Sequence, residues 1–355
     1  MVKNNMAMSA DRKYTHPPMQ DGWIDRPHQI AELGDLRLES GEVIRDYRQS
    51  YVTHGTLNAD RSNLVLVCIS LTGNHHRLDF LIGPGNALDT DRFFIVCADP
   101  IGNGLTTSPS NSVAQPKMRF PRFGIRDMVQ AQYRLLAEVL DVRAMHAVVG
   151  ASMGGMQALQ WAVSYPGLAR RIIAMTPMAK THPWAALVVE TARRCLTADP
   201  QWSETGFGSR PVRGWAAYTA LMTALLARTP AAVQEFAADA GSAQRWLAQL
   251  TERNEAGGFD AHDYLYQSWA YEAHDVNATP GAASDALAAI EVPVLIAAPP
   301  LDLFNPVESA HEAAQRIGSA RLVEIPSVQG HQAATATRAK DSDFLNATIR
   351  DFLLE

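Results

Sequence analysis

The residue most able to do chemistry is the serine of Gly150-Ala151-Ser152-Met153-Gly154-Gly155. It follows the apolar run Ala147-Val148-Val149 and opens an amphipathic stretch, so the spacing predicts a sharp turn between a strand and a helix. Such a turn strains the serine backbone and lifts the hydroxyl above the sheet edge. Gly150 and Gly154 must be small there, because side chains would strike the neighbouring strand and helix. The Met153 amide, at the helix start, points the same way and can stabilise an oxyanion. A serine hydroxyl is a weak nucleophile at neutral pH; it needs a base, and the base needs an orienting carboxylate. With this kind of elbow the chain order is serine, acid, histidine. Asp302 follows the run Val294–Ala298, and His331, the last of 11 histidines, follows Leu322–Ile325. The predicted catalytic set is Ser152, Asp302 and His331. The second oxyanion amide is expected in the loop after Leu64–Ile69, at Leu71 or Thr72. Asp99, ahead of the nucleophile, is assigned a structural role.

These residues need a scaffold. Apolar runs at Leu64–Ile69, Phe93–Ala98, His146–Val149, Arg171–Met175 and Val292–Ala298 show little alternation, as expected for strands buried on both faces of a mostly parallel sheet. Helical stripes lie between them. Ile125, Met128, Val129, Gln132, Leu135, Leu136, Val139 and Leu140 fall on one face. The helix after Ser152 is expected to end near Tyr165, before Pro166-Gly167. From about Met178 to Ala289 no strand-like run occurs, while Trp184–Leu196 and Gly214–Leu226 read as helices. The predicted class is α/β, with helices on both faces of the sheet. Residues 1–30 are expected to be a loose tail, 31–177 and 290–355 the α/β core, and 178–289 an inserted helical lid.

Composition narrows the classes. The 355 residues hold 31 Lys+Arg against 37 Asp+Glu, a net charge of −6, so a partner with a phosphate backbone is not expected. No apolar stretch approaches membrane-spanning length, and the first residues lack the apolar region of a signal peptide. A cytoplasmic protein is expected. Three cysteines cannot build a disulfide framework. His75-His76 offers two imidazoles, but no third ligand stands at motif spacing, so they read as loop histidines, and neither a metal nor a cofactor is expected. Gly102-Asn103-Gly104 and Gly83-Pro84-Gly85 read as turns rather than nucleotide loops.

The chain resembles the homoserine O-acetyltransferase family of α/β-hydrolase-fold enzymes from about Leu36 onward. The matching segments are Leu71-Thr72-Gly73, Leu81–Gly85, Asp89–Phe94, Ile125–Val129, Gly150–Leu159, Phe259–Tyr266 and Asp302-Leu303-Phe304. The resemblance implies an α/β-hydrolase fold and the triad Ser152, Asp302 and His331. It also implies an oxyanion hole of the Leu71 and Met153 amides, and a homodimer formed through the lid helices. Departures from the family pattern shape the functional expectation. The family carries an Asp after the catalytic His, where this chain has Gln332. A lid Arg corresponds to Thr219, and a second Arg to Trp269. Without those charges, homoserine should be held poorly, since a charged hydrogen bond contributes about 1.5–3 kcal/mol. The expected function is therefore a serine esterase, a carboxylic ester hydrolase cleaving small-molecule acetyl esters through an acyl-serine. The alternative is an acyl-CoA-dependent O-acetyltransferase like the rest of the family. A non-catalytic binding protein is disfavoured by the complete triad.

Overall fold

The computed structural model describes residues 16–336 and 338–355. Ten strands run in chain order: β1 (Gln29–Arg37), β2 (Val43–His54), β3 (Leu64–Cys68), β4 (Phe94–Ala98), β5 (Ala147–Ala151), β6 (Ile172–Met175), β7 (Trp202–Ser203), β8 (Gly206–Phe207), β9 (Val294–Ala298) and β10 (Ala320–Glu324). Eight of them form one sheet in the order β1-β2-β4-β3-β5-β6-β9-β10. From β4 to β10 every pairing is parallel, while β1–β2 and β2–β4 are antiparallel. Strands β3, β5, β6 and β9 are buried at every residue, because helices cover both faces. Side chains alternate between two cores. Leu64, Leu66 and Val148 point into one; Val65, Val67 and Val149 point into the other.

The helices are α1 (Ile125–Arg134), α2 (Met153–Ser164), α3 (Pro183–Thr197), α4 (Val212–Tyr218), α5 (Pro230–Phe236), α6 (Ala240–Gly257), α7 (Ala261–Glu272), α8 (Val307–Arg316) and α9 (Ala339–Leu354). Two predicted single helices are composite. The stripe from Ile125 changes to a π-helical turn over Leu135–Val139, and that from Val212 changes to one over Thr219–Leu226. The helix after the elbow ends at Ser164, with Tyr165 as its C-cap.

Helices α3 to α7 lie in sequence between the neighbouring strands β6 and β9. This stretch also holds the small β7–β8 hairpin, where the sequence suggests no strand. Hydrogen bonds tie it to loops of the core. Tyr266 Oη donates to Phe120 O at 2.6 Å, Gln267 Nε2 to Ile101 O at 3.1 Å and Trp184 Nε1 to Leu303 O at 2.9 Å.

The expected loose tail over 1–30 needs correction. Residues 1–15 lie outside the described residues. Gln29 and Ile30 already belong to β1, paired with Tyr51 and Ser50. Before them, the Ile24 amide donates to Asp79 Oδ2 at 2.8 Å, and the Trp23 ring stacks on His76 with centroids 4.2 Å apart. Packing against the loop after β3 fixes this segment, which a low-hydropathy sequence did not suggest.

Candidate active site

The turn after β5 places Ser152 at φ 57°, ψ −123°, a conformation costly for a residue with a Cβ. It survives because its surroundings leave no alternative. A Cβ on Gly150 would lie 2.1 Å from Gly154 O, and one on Gly154 would lie 2.3 Å from Cys68 O. The α2 helix thus starts hard against β3 and β5. The Ser152 amide donates to Met175 O at 2.9 Å, anchoring the turn to β6.

The three residues predicted to act together are together. His331 Nε2 lies 2.9 Å from Ser152 Oγ, and His331 Nδ1 lies 2.7 Å from Asp302 Oδ2. Asp302 stands in the loop after β9. Its other oxygen, Oδ1, accepts from the amides of Phe304 at 2.8 Å and Asn305 at 2.9 Å, which fixes the carboxylate plane. Asn305 Nδ2 donates to Thr176 O at 2.7 Å, tying that loop to the end of β6. His331 sits in the 3₁₀ turn Gly330–Thr335 after β10, with the Phe304 ring 4.8 Å away. All three side chains are buried. With Asp302 accepting at Nδ1, Nε2 is free to take the hydroxyl proton.

Of the two amides considered for the loop after β3, that of Thr72 is engaged: it donates to Gln267 Oε1 of α7 at 3.0 Å. Thr72 has φ 59°, and its side chain reaches the Tyr218 hydroxyl of α4. Ser70 Oγ donates to Ala151 O at 2.8 Å, holding this loop to the strand that delivers the serine. Leu71, between them, is buried, as is Met153 at the first position of α2, where the helix dipole is positive.

The positions that break the family pattern are occupied by packing. Thr219 is buried; its Oγ1 donates to Trp215 O at 2.8 Å and accepts from Asn254 Nδ2 at 3.0 Å. Gln332 Oε1 accepts from Thr335 Oγ1 at 3.2 Å. Trp269 stacks with the Arg122 guanidinium. A cation that the sequence did not single out stands nearby. Arg77, the residue directly after His75-His76, reaches back so that its Nε would lie 3.1 Å from a Cβ on Gly73. Burial lowers its guanidinium pKa, and the group that opposes this is the Tyr218 hydroxyl rather than a carboxylate. A fixed positive charge therefore lies between the Leu71–Gly73 loop and α4.

Asp99 has the structural role expected of it. Its carboxylate takes four donors: the His75 amide and Asn103 Nδ2 on Oδ1, Ser50 Oγ and His75 Nδ1 on Oδ2. Burial would raise its pKa, but the charge and hydrogen bond of His75, with His28 and Ser50, hold it below the usual carboxylate range. His75 and His76 stand in the loop after β3. His28 and His16, distant in sequence, stand against them.

A nucleophile elbow on a mostly parallel sheet, with an acid and a histidine after the last two strands, defines an α/β-hydrolase-fold enzyme, and residues 63–331 match the family described as alpha/beta hydrolase fold. Within that class, the chain belongs to the homoserine O-acetyltransferase family. The homoserine O-acetyltransferase of Chlorobaculum tepidum is 33% identical over 84% of this chain and 87% of its own length. That of Sulfurimonas autotrophica is 40% identical over 48% of this chain, a match spanning half (50%) of that relative. Among solved structures, an acetylester hydrolase from Corynebacterium glutamicum superposes with a TM-score of 0.85 at 26% identity, covering 93% of this chain and 96% of that one. The homoserine O-acetyltransferase of Bacillus anthracis superposes with 0.83 at 25% identity, covering 93% and 98%.

These findings correct the expectation of an acetyl-ester hydrolase. The curated relatives that align over most of the chain are consistently named homoserine O-acetyltransferase. Esterase and transferase structures superpose about equally well, so overall shape gives the esterase reading no advantage. Arg77, outside the positions compared with the family, stands beside Gly73 of this loop.

Proposed function

We propose that this protein is an acyl-CoA-dependent O-acetyltransferase whose acceptor is the hydroxyl of homoserine or a closely similar hydroxy amino acid. The reading is carried by one observation: a hydrogen-bonded Ser152–His331–Asp302 chain in a member of this transferase family. Ser152 Oγ attacks the acetyl thioester carbonyl while His331 Nε2 takes its proton, and the tetrahedral oxyanion is held by the Leu71 and Met153 amides. The carbon–sulfur bond breaks, the thiolate leaves with the proton from His331, and the acetyl group stays on Ser152. The acceptor hydroxyl then repeats the sequence in reverse, with His331 again as base, and leaves as its acetate ester. Asp302 keeps His331 in the tautomer both halves require. Arg77 provides the charge for the acceptor carboxylate, in place of the lid arginine of the family.

A coenzyme A thioester as donor fits a cytoplasmic location, and among the described residues no helix is long and apolar enough to cross a membrane. The exposed Trp184 and Leu187 of α3 and Val212 of α4 support a homodimer through these helices. The test is a side-by-side assay of acetyl-CoA with homoserine and of acetyl-CoA in water alone. O-acetylhomoserine formation well above thioester hydrolysis is expected. Hydrolysis that is unchanged by any hydroxy amino acid would overturn the reading.

A further inference from the structure

The turn that carries His331 begins where the sheet ends. Strand β10 stands at one end of the strand order and pairs with β9. Just past it, the Ile325 amide donates to Ala298 O at 2.9 Å, and the chain then leaves the sheet for the 3₁₀ turn Gly330–Thr335. On one side this stretch is pinned to α9, where Ser327 Oγ donates to Asp341 Oδ2 at 2.9 Å.

On the other side it meets three consecutive residues of the helical stretch, Ala227, Arg228 and Thr229, between the π-helical turn and α5. Thr229 Oγ1 donates to Val328 O at 2.5 Å. The Gln332 amide donates to Ala227 O at 3.1 Å. Between them, Gly330 has φ 62°, and a Cβ there would lie 3.3 Å from Thr229 Cγ2 and 3.4 Å from Arg228 Cα. Positions 328, 330 and 332 are therefore all set against 227–229, and His331 lies inside that bracket. One turn further along α5, Glu235 Oε2 accepts from Gln329 Nε2 at 2.6 Å.

Thr229 is the side chain that joins the two parts. It is buried, and as N-cap of α5 its Oγ1 accepts from the Ala232 amide at 3.0 Å. A hydroxyl has one proton and two lone pairs, so Thr229 can cap the helix and still give its proton to Val328 O. The cap fixes the hydroxyl to a rigid element, and the hydroxyl fixes the backbone three residues before the base.

We infer that Thr229 is a positioning residue for the general base: through Val328 O it sets the backbone from which His331 Nε2 reaches Ser152 Oγ. This rests on the Ser152–His331 reading of the site and not on which acceptor takes the acetyl group. The bond from Asp302 fixes the ring at Nδ1, but the distance to Ser152 also depends on where the turn stands. A displacement of about 1 Å in a reacting group can cost about 100-fold in rate.

The test measures labelling of the full-length protein by a fluorophosphonate, followed by intact mass, with the labelled residue found by peptide mapping. The maximal labelling rate reads the base, the half-saturating concentration reads probe binding, and the final extent counts competent chains. Three variants are compared with the parent, each well below its own Tm. Thr229→Val removes the hydroxyl at constant shape. Thr229→Gly also removes it, but glycine serves as an N-cap nearly as well as threonine, so α5 and the fold are kept. Thr229→Ser keeps the hydroxyl. The Val and Gly variants should label about 10- to 100-fold more slowly, with half-saturation within about threefold of the parent and a full final extent. The Ser variant should label within about threefold of the parental rate. Parental rates in the Val and Gly variants, or a reduced extent at an unchanged rate, would overturn the inference, because Thr229 would then serve folding alone. A Ser variant as slow as the Val variant would also overturn it. The reading of the site itself fails separately, if the label falls on a residue other than Ser152 or if His331→Ala labels at the parental rate.

Discussion

The Thr72 amide donates to Gln267 Oε1 at 3.0 Å, so the loop after β3 is held by helix α7 and not by the sheet alone. Gln267 is fully buried, and its Nε2 spends its own donor on Ile101 O. One amide side chain thus spans two loops of the core from the helical stretch above them.

Gln267→Leu should leave the Thr72 amide and the Ile101 carbonyl without partners. Each buried unsatisfied group costs about 1–3 kcal/mol. We expect a Tm lowered by several degrees and a fall of about 10- to 100-fold in kcat, with KM for the acetyl donor changing less, because the loss falls on oxyanion geometry. Equal kcat in the variant, measured with acetyl-CoA and homoserine, would count against a role for this bond in placing Leu71.

Ser152→Ala and Ser152→Gly should both lose turnover, by a factor on the order of 10⁶ if the serine works as part of a unit. Their stabilities should differ. Alanine keeps the strain of φ 57°, whereas glycine relieves it, a gain on the order of 1 kcal/mol partly offset by unfolded-chain entropy. Denaturant midpoints of the two inactive proteins report the strain directly.

Stability should fall on the acid side of neutrality. Burial depresses the folded-state pKa of His274 to about 3 and of His54 to about 4, against an ordinary value of 6.5. Below 6.5 the unfolded chain takes up these protons and the folded chain does not. Stability present above pH 6.5 is therefore lost as pH falls toward 4, at up to about 1.4 kcal/mol per pH unit for a fully buried ring. Urea midpoints between pH 7 and 4.5 check this. A His274→Gln chain should show a shallower slope, and an identical slope would exclude His274 as a contributor.

Arg77→Met should raise KM for homoserine by about 10- to 100-fold, the effect of losing one charged contact of about 1.5–3 kcal/mol. Hydrolysis of acetyl-Ser152 by water should change little. Arg77→Lys, which keeps the charge but not the planar fork, should fall between the two. An unaltered homoserine KM in Arg77→Met would remove Arg77 from the acceptor site.

Much of this architecture is legible in the residues, for physical reasons. Strands β3, β5, β6 and β9 are buried on both faces, so their apolar runs stand out. The elbow needs two glycines in contact with backbone, so it is conspicuous too. Asp302 and His331 follow from strand order. By contrast, β1 is the sheet's edge and β2 pairs antiparallel with it, and a run such as Arg45-Asp46-Tyr47-Arg48-Gln49 has too many polar residues to read as a strand. The π-helical turns leave the apolar stripe intact and so change no pattern. His16 and His28 are 59 and 47 positions from His75, and no local spacing reports contacts that only the fold creates. The placement of Arg77 is invisible for the same reason: it depends on where its long side chain folds back, not on a motif.

The separation of 179 residues between Ser152 and His331 has a consequence for the chain while it is being made. The elbow, β3 and β5 leave the ribosome well before β9 and β10 exist. At roughly 5–20 residues per second, about 10–40 s pass before the base can follow the nucleophile out. Through that interval the nascent protein carries an exposed serine with no partner to deprotonate it, and is inert toward the thioesters around it. Reactivity arrives only when the second half of the sheet docks, so a ribosome that stalls in the helical stretch releases a harmless fragment rather than an uncontrolled acylating agent.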